Sequence, residues 1–221
     1  MKVKICGLTK PEEAEYLNTY GADYAGFVLF FPKSKRNTDI ETALCIKEKL
    51  DPGIKSVAVT VSPSLEEASA ICNAGFDHIQ IHGNIPAGYE TLSNKIPVIK
   101  AFNVSDLASY DALLTDKDIC GFVFDAASPG SGKTFDWNML NDLKRKPGLL
   151  YILSGGLTPS NVAEAISVVN PDIVDVSSGV EYDMPTDPVS GVSLFKGKDP
   201  AKIQAFIKAS GKMLRNCYAL S

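Results

Sequence analysis

The chain is poor in the groups that build metal sites and covalent staples. It holds 5 cysteines, Cys6, Cys45, Cys72, Cys120 and Cys217, an odd number with no C-x-x-C pair. That spacing supports neither a zinc ribbon nor a thioredoxin-type motif, and a reducing compartment is the natural reading. Only 2 histidines are present. His78 and His82 on one strand would stand about 13 Å apart, at about 3.3 Å per residue, so they could not share an ion. Neither sign of charge dominates: 22 Lys+Arg against 26 Asp+Glu leave −4, which is no electrostatic footprint for nucleic acid. No apolar run approaches the roughly 20 residues of a membrane helix. The opening Met1-Lys2-Val3-Lys4 leads straight into Ile5-Cys6-Gly7, unlike a secretory signal. A cytoplasmic protein without nucleic-acid or membrane partners is expected.

What is present is an ordinary globular composition, with 45% hydrophobic and 22% charged residues. Apolar, β-branched runs recur at Val3–Cys6, Tyr24–Phe30, Lys55–Val61, His78–His82, Pro97–Phe102, Cys120–Asp125, Leu149–Ser154 and Ile173–Ser177. The stretches between them read as helices. Pro11-Glu12-Glu13 suits a first turn, Ser64-Leu65-Glu66-Glu67 is a capping-box pattern, and Thr158-Pro159-Ser160-Asn161 opens another helix. The last helix is expected over about Pro200 to Leu214. Tyr20-Gly21-Ala22-Asp23 and Ala74-Gly75-Phe76-Asp77 end two helices with a Gly turn and an acid two places on. Strict strand–helix alternation implies parallel strands with helices outside. Eight units in 221 residues favour a single (β/α)8 barrel domain over 1–221. A doubly wound fold would want G-x-G-x-x-G after its first strand, where Cys6-Gly7-Leu8-Thr9 stands. Ser131-Gly132-Lys133-Thr134 resembles the end of a P-loop, but the earlier glycine it requires is Ala127, which rejects ATP binding. Asp183–Lys198 reads as a long loop that moves.

In such a barrel, chemistry sits at the C-terminal ends of the strands. Cys6, the stretch Lys33-Ser34-Lys35-Arg36, His82, Asp125, Ser154-Gly155-Gly156 and Ser177-Ser178-Gly179 all fall there. Gly155, Gly156, Ser178 and Gly179 suit a phosphate, because glycine lets backbone N–H groups approach an anion. Cys6 could serve as a nucleophile or base, or merely pack. Lys4, two residues back on the same face, would favour its thiolate. Asp125 could act as an acid if burial raised its pKa, or cap backbone N–H groups. Arg36 could grip a carboxylate with both arms of its fork or belong to a solvated basic loop. His82 could orient a hydroxyl or assist proton transfer. Asp175, buried by pattern, could face the pocket, but a structural hydrogen-bonding role is expected of it.

Lys4-Ile5-Cys6-Gly7-Leu8-Thr9 resembles the opening motif of the phosphoribosylanthranilate isomerase family, enzymes of tryptophan biosynthesis. The likeness continues through Gly21-Ala22-Asp23, Gly26-Phe27-Val28, Ser34-Lys35-Arg36, Ile79-Gln80-Ile81-His82-Gly83 and Val98-Ile99-Lys100-Ala101. It runs on through Gly132-Lys133-Thr134-Phe135-Asp136-Trp137, Ser154-Gly155-Gly156-Leu157-Thr158-Pro159-Ser160-Asn161-Val162 and Val174-Asp175-Val176-Ser177-Ser178-Gly179-Val180-Glu181.

The resemblance implies an Amadori rearrangement of N-(5-phosphoribosyl)anthranilate to a 1-amino-1-deoxyribulose phosphate, without metal or organic cofactor. It puts the general base on Cys6, the general acid on Asp125, the anthranilate-binding group on Arg36, and the phosphate on Gly155-Gly156 and Ser178-Gly179. The partner is then a small phosphorylated substrate, and the protein a monomer or homodimer. Ser154 stands where the family commonly has Ala, and Asn37 where an aromatic often follows the arginine. Two alternatives remain. One is another phosphate-sugar barrel enzyme, such as indole-glycerol-phosphate synthase, for which Lys100 would matter. The other is a non-catalytic phosphate-binding barrel with Cys6 as a redox sensor.

Overall fold

The computed structural model describes residues 1–92, 94–104, 107, 109–126, 134–183 and 195–213. The P-loop-like segment lies outside them except for Thr134, as do residues 184–194 of the loop expected to move. Eight parallel strands follow the eight apolar runs: β1 Lys2–Cys6, β2 Tyr24–Leu29, β3 Lys55–Val61, β4 His78–His82, β5 Val98–Asn103, β6 Ile119–Asp125, β7 Leu150–Leu153 and β8 Ile173–Val176. Each pairs with its sequence neighbour, and β8 pairs with β1, so the sheet closes into a barrel. A two-residue strand, Asn37–Thr38, adds to β2 outside the ring.

Helices α1 Glu12–Tyr20, α2 Ile40–Lys47, α3 Leu65–Asn73, α4 Tyr110–Leu113, α5 Val162–Val169 and α6 Pro200–Ala209 lie between and after the strands. The capping box before α3 is present: Glu67 N–H donates to Ser64 Oγ at 3.1 Å and Ser64 N–H to the Glu67 carboxylate at 2.8 Å. The expectation of a helix in every connection is too generous. Between β4 and β5 the described residues hold one 3₁₀ turn, Tyr89–Thr91, hemmed in by Pro86 and by Gly88 at φ 86°. Another such turn, Trp137–Leu140, is the helical element described between β6 and β7, and α4 is a single turn. The last helix stops at Ala209, short of Leu214, because Gly211 turns left-handed at φ 75°.

Alternation along the strands separates two cores. Val3, Ile5, Phe27, Ile79, Ile81 and Phe122 pack outward against the helices, while Val57, Val59, Ile99, Val123 and Ile152 fill the barrel. The N-terminal end is stapled by a repeated device. Asp23, Asp77 and Asp172 each stand just before a strand and accept an N–H from the start of the strand before it. Asp23 takes Val3 at 2.7 Å, Asp77 takes Ser56 at 2.9 Å and Asp172 takes Tyr151 at 2.8 Å. The acids after the two Gly turns are therefore register pins. They leave the opposite end of the barrel to chemistry. No helix among the described residues is long and apolar enough to cross a membrane.

Candidate active site

A cavity of about 740 Å³ opens at the C-terminal ends of the strands. Cys6, Arg36, His82 and Asp125 line it, and so do Gly155, Gly156 and Ser178. Gly179 does not: a Cβ there would overlap the Leu157 carbonyl, so this glycine lets the loops after β7 and β8 touch.

Cys6 ends β1 opposite Gly26 of β2, whose added Cβ would sit 2.8 Å from Cys6 Sγ. Glycine at 26 makes the room the thiol occupies. Lys4, fully buried, lies across from Asp175 in the β1–β8 register and pairs with it at 2.8 Å. The expected pull of Lys4 toward the thiolate exists, and Lys198 adds to it. Burial and the Asp175 carboxylate outweigh both, so the Cys6 thiol is raised above its ordinary value. Asp175 is both the partner of Lys4 and a residue that faces the pocket. Its second oxygen, Oδ1, is buried without a protein hydrogen bond, and the residue lines the cavity.

Asp125 closes β6, where its Oδ1 accepts the Ala126 N–H at 2.8 Å. Burial, then repulsion from Asp175, lift its carboxyl to about 6 against the backbone bond, Lys4 and Arg36. Gly155 stands beside it at φ 88°. A Cβ there would come within 2.5 Å of Ala126 N and 3.0 Å of Asp125 Oδ1. The glycine thus serves the acid as well as any anion.

Arg36 is not on a solvated loop. It is 8% exposed, and its stem crosses Gly7, where a Cβ would meet Arg36 Cδ at 2.6 Å. Its Nε and Nη2 donate to Glu181 at 2.5 and 3.2 Å. Glu181 also meets Lys35 at 3.0 Å and buried Lys198 at 3.2 Å. Despite burial, the cations Lys198 and Arg36 hold its carboxyl down to about 2. His82 lies 2.9 Å from Gln80 Nε2 through its own Nε2. In this orientation of the amide the ring nitrogen accepts, which puts the imidazole proton on Nδ1. Burial, then Lys4 and Lys100, lower its pKa to about 4, so the ring is neutral at physiological pH. His78, at the other end of β4, packs against the Tyr24 ring at 6.0 Å. Lys100 bonds the Ala101 carbonyl at 2.6 Å beneath the Phe102 ring, at the cavity edge.

A model of the N-(5'-phosphoribosyl)anthranilate (PRA) isomerase family matches residues 3–209 of this sequence. The chain belongs to the phosphoribosylanthranilate isomerase family. An N-(5'-phosphoribosyl)anthranilate isomerase of Clostridium kluyveri is 40% identical over 214 residues, covering 94% of this chain and 96% of that one. A phosphoribosyl anthranilate isomerase solved in complex with reduced 1-(o-carboxyphenylamino)-1-deoxyribulose 5-phosphate superposes with a TM-score of 0.75 at 34% identity, over 96% of this chain and 98% of the other. The Thermus thermophilus isomerase gives 0.77 at 30%, over 96% and 98%. The Thermotoga maritima isomerase is described as dimeric, and monomers of it have been solved.

The protein is thus an aldose–ketose isomerase of the tryptophan-biosynthesis class, which sets aside the synthase and the non-catalytic barrel. Within this isomerase family site, sequence reasoning missed three contributors. Glu181 closes the last matched motif but carried no assigned role. Gln80 was visible only as part of Ile79–Gly83. Lys198 sits in an irregular segment, and nothing in its local pattern marks a buried ammonium.

Proposed function

We propose that the chain, as one barrel domain, converts N-(5'-phosphoribosyl)anthranilate into 1-(2-carboxyphenylamino)-1-deoxyribulose 5-phosphate, with Asp125 as general acid and Cys6 as general base. The observation that supports it best is their placement. The two groups end β6 and β1, three strands apart through β7 and β8, and line one cavity. An acid and a base can therefore reach opposite sides of one bound sugar.

The Asp125 carboxylic acid gives its proton to the ribose ring oxygen as the bond from that oxygen to C1' breaks. The nitrogen lone pair forms the iminium, which makes the C2' proton acidic. The Cys6 thiolate removes that proton, and the electrons left at C2' neutralise the iminium as an enolamine. The enolamine tautomerises to the ketone. In that last step C1' takes up a proton and the C2' hydroxyl gives one up, so no net proton is gained or lost. Asp125 and Cys6 handle the two earlier protons, and the scheme calls on no cofactor. Gly155, Gly156, Ser178 and Gly179 receive the phosphate at one end, and Arg36 the ring carboxylate at the other. Gln80 and His82 face a ribose hydroxyl between them. Fixing both ends leaves C1' and C2' between acid and base, which contributes rate through orientation. A cytoplasmic site of action belongs to the same proposal.

The test is direct. Freshly prepared phosphoribosylanthranilate is offered to the purified protein, and the loss of anthranilate-type fluorescence is followed. Turnover that saturates with substrate is expected. A protein that binds the compound without consuming it would sink the proposal.

A further inference from the structure

Arg36 reaches the cavity with two of its five side-chain N–H groups already committed. Its side edge, Nε with Nη2, is taken by the two oxygens of Glu181. The end edge, Nη1 with the second hydrogen of Nη2, is the one left to turn toward a ligand. Arg36 lines the cavity and Glu181 does not, so the carboxylate sits behind the guanidinium. An arginine held on one edge by a bidentate carboxylate has a fixed plane, and the direction of its other edge is fixed with it.

Glu181 is itself held. Lys198, with a fully buried side chain, meets Glu181 Oε1 at 3.2 Å and also donates to Ser177 O and Oγ, each at 3.2 Å. Ser177 Oγ in turn donates to the Cys6 carbonyl at 2.8 Å. The Lys198 backbone N–H donates to Glu13 Oε1 at 2.7 Å, and Glu13 Oε2 accepts the N–H groups of Thr9 at 2.7 Å and Lys10 at 3.1 Å. An antiparallel bridge between Glu181 and Lys198 closes the base of the loop after β8. The Arg36 plane is therefore referred, through Glu181, to the strand tip that carries Cys6.

We propose that Glu181 is a positioning residue. Backed by Lys198, it holds the end edge of Arg36 toward the cavity for the carboxylate on the substrate's ring. This rests on Arg36 being the carboxylate site proposed above. Arg36 without Glu181 keeps its charge but loses its direction. The loss falls on the carboxylate end of the substrate and spares the phosphate end.

Steady-state kinetics on wild type, Arg36→Met, Glu181→Gln and the double variant test this, with ribose 5-phosphate, which lacks the ring carboxylate, as competitive inhibitor. In Glu181→Gln, KM for phosphoribosylanthranilate rises about tenfold or more, the scale of one charge-assisted hydrogen bond. Its kcat stays within about threefold, and the ribose 5-phosphate inhibition constant within about twofold. The double variant is no worse than Arg36→Met, because the two residues act on one contact. If Arg36→Met raises KM and Glu181→Gln does not, the positioning role is wrong and the carboxylate site stands. If Arg36→Met leaves KM unchanged, the carboxylate site itself is wrong. A ribose 5-phosphate constant that weakens in step with KM marks a merely structural role and overturns the proposal. Should Glu181→Gln fail to fold, Glu181→Asp, which keeps the charge and withdraws it by one methylene, carries the same comparison. A wild-type KM in that variant also overturns it.

Discussion

Cys6 and Asp125 are the two tips of one cavity, and both feel the same buried pair, Lys4 and Asp175. Their surroundings nonetheless differ. Around the thiol, two ammonium groups, Lys4 and Lys198, oppose burial; around the carboxyl, the second-largest influence is repulsion by Asp175. Both groups end up favouring the proton. The carboxyl titrates at about 6 and the thiol above its ordinary 9.0. Near pH 7 the thiol therefore keeps its proton while the carboxyl has mostly lost its own. The arrangement that the proposed mechanism requires is the inverse, thiolate with carboxylic acid, a minority form reached by moving one proton from Cys6 to Asp125. The difference teaches that the site is built for low polarity first, with the ion pair tuning what burial has set.

The sharpest way to break the comparison is to remove the base. Cys6→Ala is expected to lose about 10²–10⁴ in kcat while ribose 5-phosphate affinity holds. A near-normal kcat would remove the thiol from the scheme.

Lys4→Met acts on the pair both groups share. It leaves Asp175 as a buried, unpaired carboxylate, and stability should fall by about 3–5 kcal/mol in urea unfolding. Lys4→Met with Asp175→Leu should recover most of that. A single variant as stable as wild type would show that the pair does not hold the barrel at this point.

Asp125→Asn sharpens the comparison from the acid side. It should lower kcat by about 10²-fold. The proposed mechanism requires thiolate and carboxylic acid together. Below about pH 6 the carboxyl is protonated, so kcat/KM rises with pH as thiolate forms. Above about 6 the carboxyl empties as fast as the thiolate fills, and the profile is level until the thiol itself ionises. The low-pH bend thus reports Asp125, and in Asp125→Asn the residual activity should keep rising through it. Because the substrate phosphate also titrates near 6, the difference between the two profiles is the measurement. Stability gives a second readout. A carboxyl raised from 3.8 to about 6 keeps its proton in the folded state where the unfolded chain has released it, so stability falls as pH rises across that window. Asp125→Asn should escape this and be no less stable than wild type at pH 8. A destabilised but fully active variant would return Asp125 to a structural role.

The smallest effect is expected far from both groups. Ser64→Ala removes the α3 capping box and should cost about 0.5–2 kcal/mol, with kcat unchanged. A change in kcat there would mean that the outer helices set the geometry of the cavity.

Much of the architecture was legible because its causes are local. Apolar runs spaced by capped, amphipathic stretches specify strands and helices, and strict alternation specifies a parallel closed sheet. That logic located Cys6, Asp125, Gly155 and Gly156 at the functional end. It overestimated the helices around the Gly and Pro residues at 86–97, 147–148 and 211. The close approach of Gly179 to the Leu157 carbonyl, which ties two loops together, was not legible in it either. The parts it missed depend on partners far away in the chain. Glu181 lies 145 residues from Arg36, Asp175 lies 171 from Lys4, and Lys198 lies 185 from Glu13. The sequence by itself determined the barrel and the set of reactive groups at its rim, because backbone propensity and strand-end position are properties of short segments. Only the tertiary structure decided where the protons rest and which way Arg36 points. Burial and charge pairing depend on what the closed ring brings within about 3 Å, and no local pattern encodes that.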